Sequence, residues 1–217
     1  MEQVLDLYTS TPDENEPLVA MDESSVQLLK HLHAPLPMRP AIVESNSTTQ
    51  HATPQRIDDQ YERNGVRALF MFFAPHQGWR RVTSSEQRTK RDWAHQIKRL
   101  LDEDFPNARR IHLVCDNLNT HDTSSLYETF EPEEAHRLAR RLVIHFTPKH
   151  GSWLNIAEIE LSVMTRQCLD RRIGEADELD QQLHAWNDSR NKERCGLNWH
   201  FTTADPRITL RHLYPLG

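Results

Sequence analysis

Two aspartates each follow a short apolar run that is typical of a buried strand. Asp22 comes directly after "LVAM", and Asp116 comes directly after "IHLVC". In α/β proteins, functional groups collect at the carboxyl ends of strands, so these two side chains are candidates for one shared site. The alternative for Asp116 is a structural role, in which it caps the following helix or starts a turn. The chemistry therefore depends on which other groups join the two aspartates.

A helix predicted from Asn155 to Ile173 offers a third acid, either Glu158 or Glu160. At 100° per residue the apolar residues of this helix form one stripe. Glu158 lies at the edge of that stripe, and Glu160 falls inside the apolar arc. A buried carboxylate needs a partner, so Glu160 is either paired structurally or itself catalytic.

Three carboxylates in one site repel one another strongly unless a cation lies among them. Oxygen ligands without cysteine favour Mg²⁺ or Mn²⁺ over zinc. Two such ions roughly 3.5–4 Å apart can clamp the attacking and leaving oxygens of an in-line phosphoryl displacement. The acids therefore predict metal-dependent phosphoryl transfer.

The elements that must position these acids follow an α/β pattern. The strand "LVAM" is expected to end at Asp22, and a hairpin is predicted from Arg67–Phe73 and Trp79–Thr83. Two further strands, "IHLVC" and "LVIHF", are separated by helical segments, and another helix is predicted over "EADELDQQLHAWNDSRNK". Strands first and strand–helix alternation afterwards are typical of an α/β fold.

We divide the chain into three parts. Residues 1–16 are expected to form a linker helix and an acidic linker, because "MEQVLDLY" places Val4, Leu5 and Tyr8 on one helical face before a proline- and acid-rich stretch. Residues 17–173 form the predicted catalytic domain. Residues 174–217 are expected to form a helical extension packed on it.

The charge of the chain is unevenly distributed. The net charge is −6, whereas DNA-binding proteins usually carry a basic surface. The first 23 residues contain seven acids and no lysine or arginine, while residues 137–172 contain seven bases and three acids. The second region is therefore where a phosphate backbone could lie.

The remaining composition indicates a cytoplasmic protein. No apolar run approaches the roughly 18 residues of a membrane span, and the acidic N-terminus is unlike a secretory signal. The three cysteines are an odd number and form no CxxC pair, which favours a reducing cytosol.

The segments "VCDNLNTH" and "HFTPKHGSWLNIAEIE" resemble the catalytic domain of DDE transposases in the mariner superfamily, specifically its bacterial insertion-sequence branch. That family has an Asp-Asn pair after a central strand, a Thr-Pro turn after a later strand, and an LNxxE helix start. The matching residues are Asp116-Asn117, Thr147-Pro148 and Leu154–Glu158. The first family acid matches Asp22 in "VAMDESS", and the resemblance runs from about Leu18 to Tyr214.

The resemblance implies a ribonuclease-H-like fold, with a mixed five-stranded sheet flanked by helices. It implies that Asp22, Asp116 and Glu158 are the catalytic residues and the ligands of two Mg²⁺ or Mn²⁺ ions, with Asp116 as the bridging ligand. It therefore favours Glu158 over Glu160. Asn117 and Asn155 are expected to support the site. His121 and Asn119 either orient the metal ligands or cap the next helix.

Four residues are predicted to contact DNA: Lys149, His150, Trp153 and Arg166. The cations suit phosphate and the tryptophan suits base stacking. The alternative is a solvated turn anchored by a buried Trp153, with Arg166 at a solvated helix end where bases favour the dipole.

The family reaction is hydrolysis of DNA at an element end, followed by attack of the freed 3′-hydroxyl on target DNA. Transposon ends and target DNA are thus the expected partners, with either a homodimer or a complex with a DNA-binding half. The family also carries an N-terminal helix-turn-helix region that is not seen ahead of "LVAM". We therefore expect a truncated frame, one half of a split gene or a decayed copy. A nuclease without strand transfer and an inactive remnant acting as an interaction module are the alternatives.

Overall fold

The structure is a computed structural model, which describes residues 1–33, 36–38, 42–43, 49–50, 59–148, 151–197 and 199. The strands are β1 (Leu18–His31), β2 (Ile42–Val43), β3 (Thr49–Gln50), β4 (Tyr61–Ala74), β5 (Trp79–Ser85), β6 (Ile111–Cys115) and β7 (Leu142–Phe146). The helices are α1 (Glu2–Thr9), α2 (Lys90–Arg99), α3 (Ser124–Thr129), α4 (Pro132–Ala139), α5 (Ala157–Cys168) and α6 (Ala176–Lys192). A π-helical turn (Leu100–Asp104) extends α2, and a 3₁₀ turn (Ser152–Leu154) precedes α5.

Five strands form one mixed sheet in the order β5-β4-β1-β6-β7. The β1–β4 and β4–β5 pairs are antiparallel, whereas β6 runs parallel to both β1 and β7. The predicted mixed five-stranded sheet is therefore confirmed. β2 and β3 pair only with each other among the described strands.

Helices cover both faces of this sheet. Leu18 and Ala20 of β1 belong to a core shared with α1, α5 and α6, whereas Val19 and Met21 belong to a core shared with α2, α3 and α4. This alternation follows from the two-residue period of a strand. The predicted apolar face of α1 is buried, as is most of the apolar face of α6. None of the described helices is long and apolar enough to cross a bilayer.

The expectation that the first strand ends at Asp22 was wrong. β1 continues to His31 because β4 pairs with it over that whole length, from Ala20 opposite Phe73 to His31 opposite Tyr61. The antiparallel ladder satisfies the backbone of this more polar half of the strand, so an apolar run is not needed to maintain it. Asp22 therefore lies within β1 rather than after it.

The helix that carries the third acid is shorter than predicted. α5 runs from Ala157 to Cys168 instead of from Asn155 to Ile173. After the helix, the carbonyl oxygen of Ile173 accepts a hydrogen bond from the backbone N–H of Leu29, 2.8 Å away, at a bulge in β1. This contact with the sheet holds Ile173 in a non-helical segment where the sequence periodicity predicted further helix.

Candidate active site

Asp22 and Asp116 lie just past the paired segment of the two neighbouring parallel strands β1 and β6, at the end toward which both strands run. In the β1–β6 ladder Ala20 is the partner of Val114, and each aspartate is two residues further along its strand direction. Ala20 and Val114 both face the core that contains α5. Since side chains two apart share a face, both aspartates are directed to the α5 side of the sheet.

Asn155 fixes the start of α5 against β1. Its side chain is buried, its Nδ2 donates to the carbonyl oxygen of Met21 (2.9 Å), and its Oδ1 accepts from the N–H of Ala157 (3.3 Å). Tyr8 adds a second tie, because its hydroxyl donates to the carbonyl oxygen of Leu154 at 2.6 Å. The exposed side chain of Glu158 is therefore carried by a helix start that is bonded to the residue directly before Asp22.

The pKa of Asp22 reflects its burial and the charges around it. The pKa of Asp22 is raised from 3.8 to about 7, mainly by burial; the charges of Asp116 and Glu158 also raise it, whereas the Glu23 N–H and His121 lower it. That N–H donates to Asp22 Oδ1 at 2.7 Å. The negative charges of both other predicted acids therefore oppose the ionisation of Asp22.

His121 contacts two carboxylates from the side of the sheet that is covered by α2. Its side chain is fully buried, with Nδ1 2.7 Å from Asp116 Oδ1 and Nε2 3.0 Å from Glu23 Oε1. Nδ1 also lies 3.1 Å from the carbonyl oxygen of Asp116. That contact has hydrogen-bond geometry, whereas Oδ1 accepts no hydrogen bond and is held by charge. The ring stacks on buried Trp93 of α2, with 5.9 Å between centroids.

The contacts of His121 keep its imidazole protonated. Burial alone would lower its pKa, but contacts with Asp116, Cys115 and Glu23 outweigh burial and raise the pKa from 6.5 to about 12. A cation therefore lies against Asp116 on the side away from α5. Of the two roles considered for His121, orienting a predicted ligand fits these contacts. Glu23 was missed, although its place next to Asp22 puts it on the opposite face of β1, where His121 lies.

Glu160 belongs to a different cluster. It is 4% exposed, as its place in the apolar arc predicts. Its Oε1 lies 2.8 Å from Arg80 Nε and 3.1 Å from Arg190 Nη2. Of the two roles open to this residue, the structure therefore supplies the partners that a structural role requires.

The predicted DNA contacts are placed only in part. Lys149 and His150 lie outside the described residues. Trp153 is 38% exposed in the 3₁₀ turn before α5, and Arg166 is exposed on α5. Asn117 is exposed directly after Asp116. The contact of Trp153 with DNA therefore remains a prediction that its exposure permits.

The predicted metal ligands fit a divalent cation in donor type. Asp22, Asp116 and Glu158 offer only carboxylate oxygens, which suits Mg²⁺ or Mn²⁺. Within the described part of the chain, however, no three His, Cys, Asp or Glu side chains are close enough together to hold an ion. Binding would therefore require these side chains to turn toward one another.

Comparisons with known proteins identify a family and a fold. A family model described as DDE superfamily endonuclease matches residues 37–180, two thirds of the chain. No curated protein sequence matches. The Mos1 mariner paired-end complex with Mn is similar at 14% identity and a TM-score of 0.54, over 89% of this chain and 54% of that chain. A simian T-cell lymphotropic virus intasome in complex with PP2A regulatory subunit B56 gamma is similar at 11% identity and a TM-score of 0.47, over 95% of this chain and 59% of that one.

These matches bear on the fold and on the family. The likeness to Mos1 mariner confirms the predicted ribonuclease-H-like fold. The chain spans about half the length of that protein, 54%. The segment matched by the family model contains Asp116 and Glu158 and begins after Asp22.

Proposed function

Because the chain belongs to the DDE superfamily of endonucleases, we propose that it is the catalytic domain of a transposase, which cuts DNA strands and joins them to a target. Asp22, Asp116 and Glu158 are the proposed catalytic residues. The observation that carries this assignment is the β1–β6 register, which brings Asp22 and Asp116 to the same end of that ladder, where Asn155 bonds the start of α5 to Met21. Transposon ends and target DNA are the proposed substrates, and a homodimer or a separate DNA-binding half is the proposed assembly.

Asp22, Asp116 and Glu158 would hold one or two Mg²⁺ or Mn²⁺ ions. When bound, such ions activate water and stabilise charge on the phosphoryl oxygens. The protein's own part is to position the carboxylates. His121 holds Asp116 from one side, and Asn155 fixes the helix start that carries Glu158 to the backbone beside Asp22.

The test is nicking of supercoiled plasmid DNA in Mn²⁺, together with joining of an oligonucleotide that has a free 3′-hydroxyl. We expect the wild type to perform both reactions and Asp116→Asn to perform neither. Asp170→Asn is the matched control, because Asp170 is an exposed aspartate beyond the last turn of α5. Nicking that is unchanged in Asp116→Asn would contradict the proposal.

A nuclease without strand transfer is the second candidate. The matching family is described by its endonuclease activity, and that description covers cleavage alone. The same experiment separates the two, because nicking without joining would identify the nuclease.

A further inference from the structure

Five arginines line one open cleft at the opposite end of the parallel strands from the predicted acids. The cleft has a volume of about 380 Å³ and is lined by Arg109, Arg110, Arg137, Arg140 and Arg141. Two of these residues directly precede β6, two directly precede β7, and one lies in the last turn of α4. We call this the arginine cleft. Such a density of positive charge is unusual in a chain whose net charge is −6.

Two of the five arginines build the wall of the cleft. Arg137 pairs with Asp102 and Glu134, each at 2.7 Å. Arg141 donates from Nη2 to the carbonyl oxygens of Phe105, at 2.9 Å, and Ala108, at 2.9 Å. These contacts tie α4 and the start of β7 to the turn before β6. The two side chains are therefore held in place rather than left in solvent.

The other three arginines are available to a ligand. Arg109 is 72% exposed and has one ion-pair partner, Glu16, at 2.8 Å. Arg110 and Arg140 are exposed and have neither an ion pair nor a side-chain hydrogen bond within the part of the chain that the structure describes. Five guanidinium groups therefore line the cleft, whereas only three carboxylates of the described residues pair with them. These carboxylates belong to Glu16, Asp102 and Glu134.

The chemistry of this surplus charge favours phosphate. Guanidinium stays ionised at any physiological pH, and its planar donors match the oxygens of a phosphate in a bidentate way. Arg110 is six residues before Asp116 along one strand, which corresponds to roughly 20 Å at about 3.3 Å per residue. That span equals about six nucleotides at 3.4 Å per strand. β7 is an edge strand, so no further strand of the main sheet lies outside it.

We propose that the arginine cleft binds the phosphodiester backbone of DNA, at a distance from the bond that is cut. This inference rests on the proposed function, because it takes DNA as the substrate. The cleft contributes affinity and fixes the path of the DNA, while the carboxylates at the other end of the strands carry the chemistry. An acidic protein segment would be the other polyanion to consider, and the experiment separates it from DNA.

The experiment measures binding of a fluorescent 25-base-pair duplex in EDTA across a series of salt concentrations. The test variant is Arg109→Gln/Arg110→Gln/Arg140→Gln. We expect a loss of at least tenfold in affinity at low salt, and a decrease of about 2–3 in the slope of log K against log salt, since each phosphate contact contributes about 0.9. The matching triple lysine variant should retain the slope, because it keeps the charges.

A control variant with the same charge change, Arg88→Gln/Arg91→Gln/Lys192→Gln, removes exposed bases at the starts and ends of other elements. An equal loss of affinity in this control would overturn the proposal, and so would an unchanged slope in the cleft variant. Polyglutamate serves as the probe for an acidic protein partner. If the cleft variant lost polyglutamate binding but kept duplex binding, the proposal would be overturned in favour of such a partner.

Chemical modification provides a readout on the unaltered protein. Phenylglyoxal should modify Arg110 and Arg140, and bound duplex should protect both. Modification that is equally fast with and without DNA would contradict the proposal. Because all binding is measured in EDTA, a chain that binds DNA through the cleft but fails to nick plasmid would overturn only the proposed catalysis.

Discussion

Two ionic clusters in this protein each include one acid of α5 and differ in their balance of charge. The carboxylate cluster, as we define it, contains four acids and one imidazolium, that of His121, which contacts Glu23 and Asp116; the other acids are Asp22 and Glu158. In the glutamate–arginine cluster, by contrast, Glu160 alone meets Arg80 and Arg190. The third acid of the site and the structural acid are only two residues apart on α5.

This difference in charge balance distinguishes a structural acid from a functional one. Glu160 is buried and its charge is met by two guanidiniums, which is what burial of a carboxylate requires. The carboxylate cluster keeps a surplus of negative charge, and burial, with added repulsion from Asp116 and Glu158, raises the pKa of Asp22 to about 7. Such a surplus costs stability, and perturbed acids of this kind concentrate at functional sites.

The largest expected effect comes from Glu158→Gln. We expect plasmid nicking in Mn²⁺ to fall about a thousandfold, which corresponds to roughly 4 kcal/mol of transition-state stabilisation. The melting temperature should stay the same or rise, because the side chain is exposed and its charge repels Asp22. A normal nicking rate in this variant would remove Glu158 from the site.

Glu160→Gln should show the opposite pattern. Removing the charge leaves buried Arg80 without its counterion, so the free energy of unfolding should fall by about 3–4 kcal/mol in urea titrations. Nicking per folded molecule should remain close to that of the wild type. A variant that is stable but inactive would contradict the distinction between the two acids.

His121→Gln should lower stability by roughly 3 kcal/mol, at the low end for a broken buried pair because Asp116 is 38% exposed and can turn to solvent. The folded pKa of His121 is raised from 6.5 to about 12, so its stabilisation is complete below pH 6.5 and declines as the pH rises toward 12. The difference between wild type and variant should therefore shrink at alkaline pH.

The control for that prediction is His184→Gln. His184 pairs with Asp188 at 3.1 Å, but the two side chains are 79% and 68% exposed. An exposed pair of this kind contributes about 0–1 kcal/mol. If both histidine variants changed stability equally, the buried bridge between Asp116 and Glu23 would have no special role.

Among substitutions in the two clusters, the smallest expected effect is a gain of stability in Asp22→Asn. The folded pKa of Asp22 is raised from 3.8 to about 7, so the folded state binds the extra proton and wild-type stability falls as the pH rises from about 4 to 7. At pH 8 the variant should be more stable by about 2 kcal/mol, which is a discounted value for a partly exposed group. The gain should disappear near pH 4 in thermal melts, and a pH-independent difference would contradict this origin.

The local features of the fold followed from the sequence, and the long-range ones did not. The apolar runs at β6 and β7 and the burial of Val4, Leu5 and Tyr8 in α1 were readable from short segments. The second half of β1 was not, because its polar residues are held by β4, whose partner residues lie 30 or more positions further along the chain. The end of α5 was missed for the same reason, since β1 bonds the segment that follows it.

The candidate site shows the same division. The family motif indicated Asp116, Asn155 and Glu158, and helical spacing indicated that Glu160 is buried. The part of Glu23 required the folded chain, because Glu23 and His121 are 98 residues apart in sequence. A buried ion pair between such distant residues leaves no periodic pattern in the sequence.

Direct binding of Mn²⁺ tests the central claim most directly, since it asks whether the carboxylate cluster holds metal without depending on any DNA. Free Mn²⁺ can be measured by its electron paramagnetic resonance signal during titration of the wild type, Asp116→Asn and Glu160→Gln. We predict that Asp116→Asn weakens binding at least tenfold, whereas folded Glu160→Gln binds like the wild type. Equal Mn²⁺ affinity in the wild type and Asp116→Asn would contradict the assignment of this cluster as the metal-binding active site.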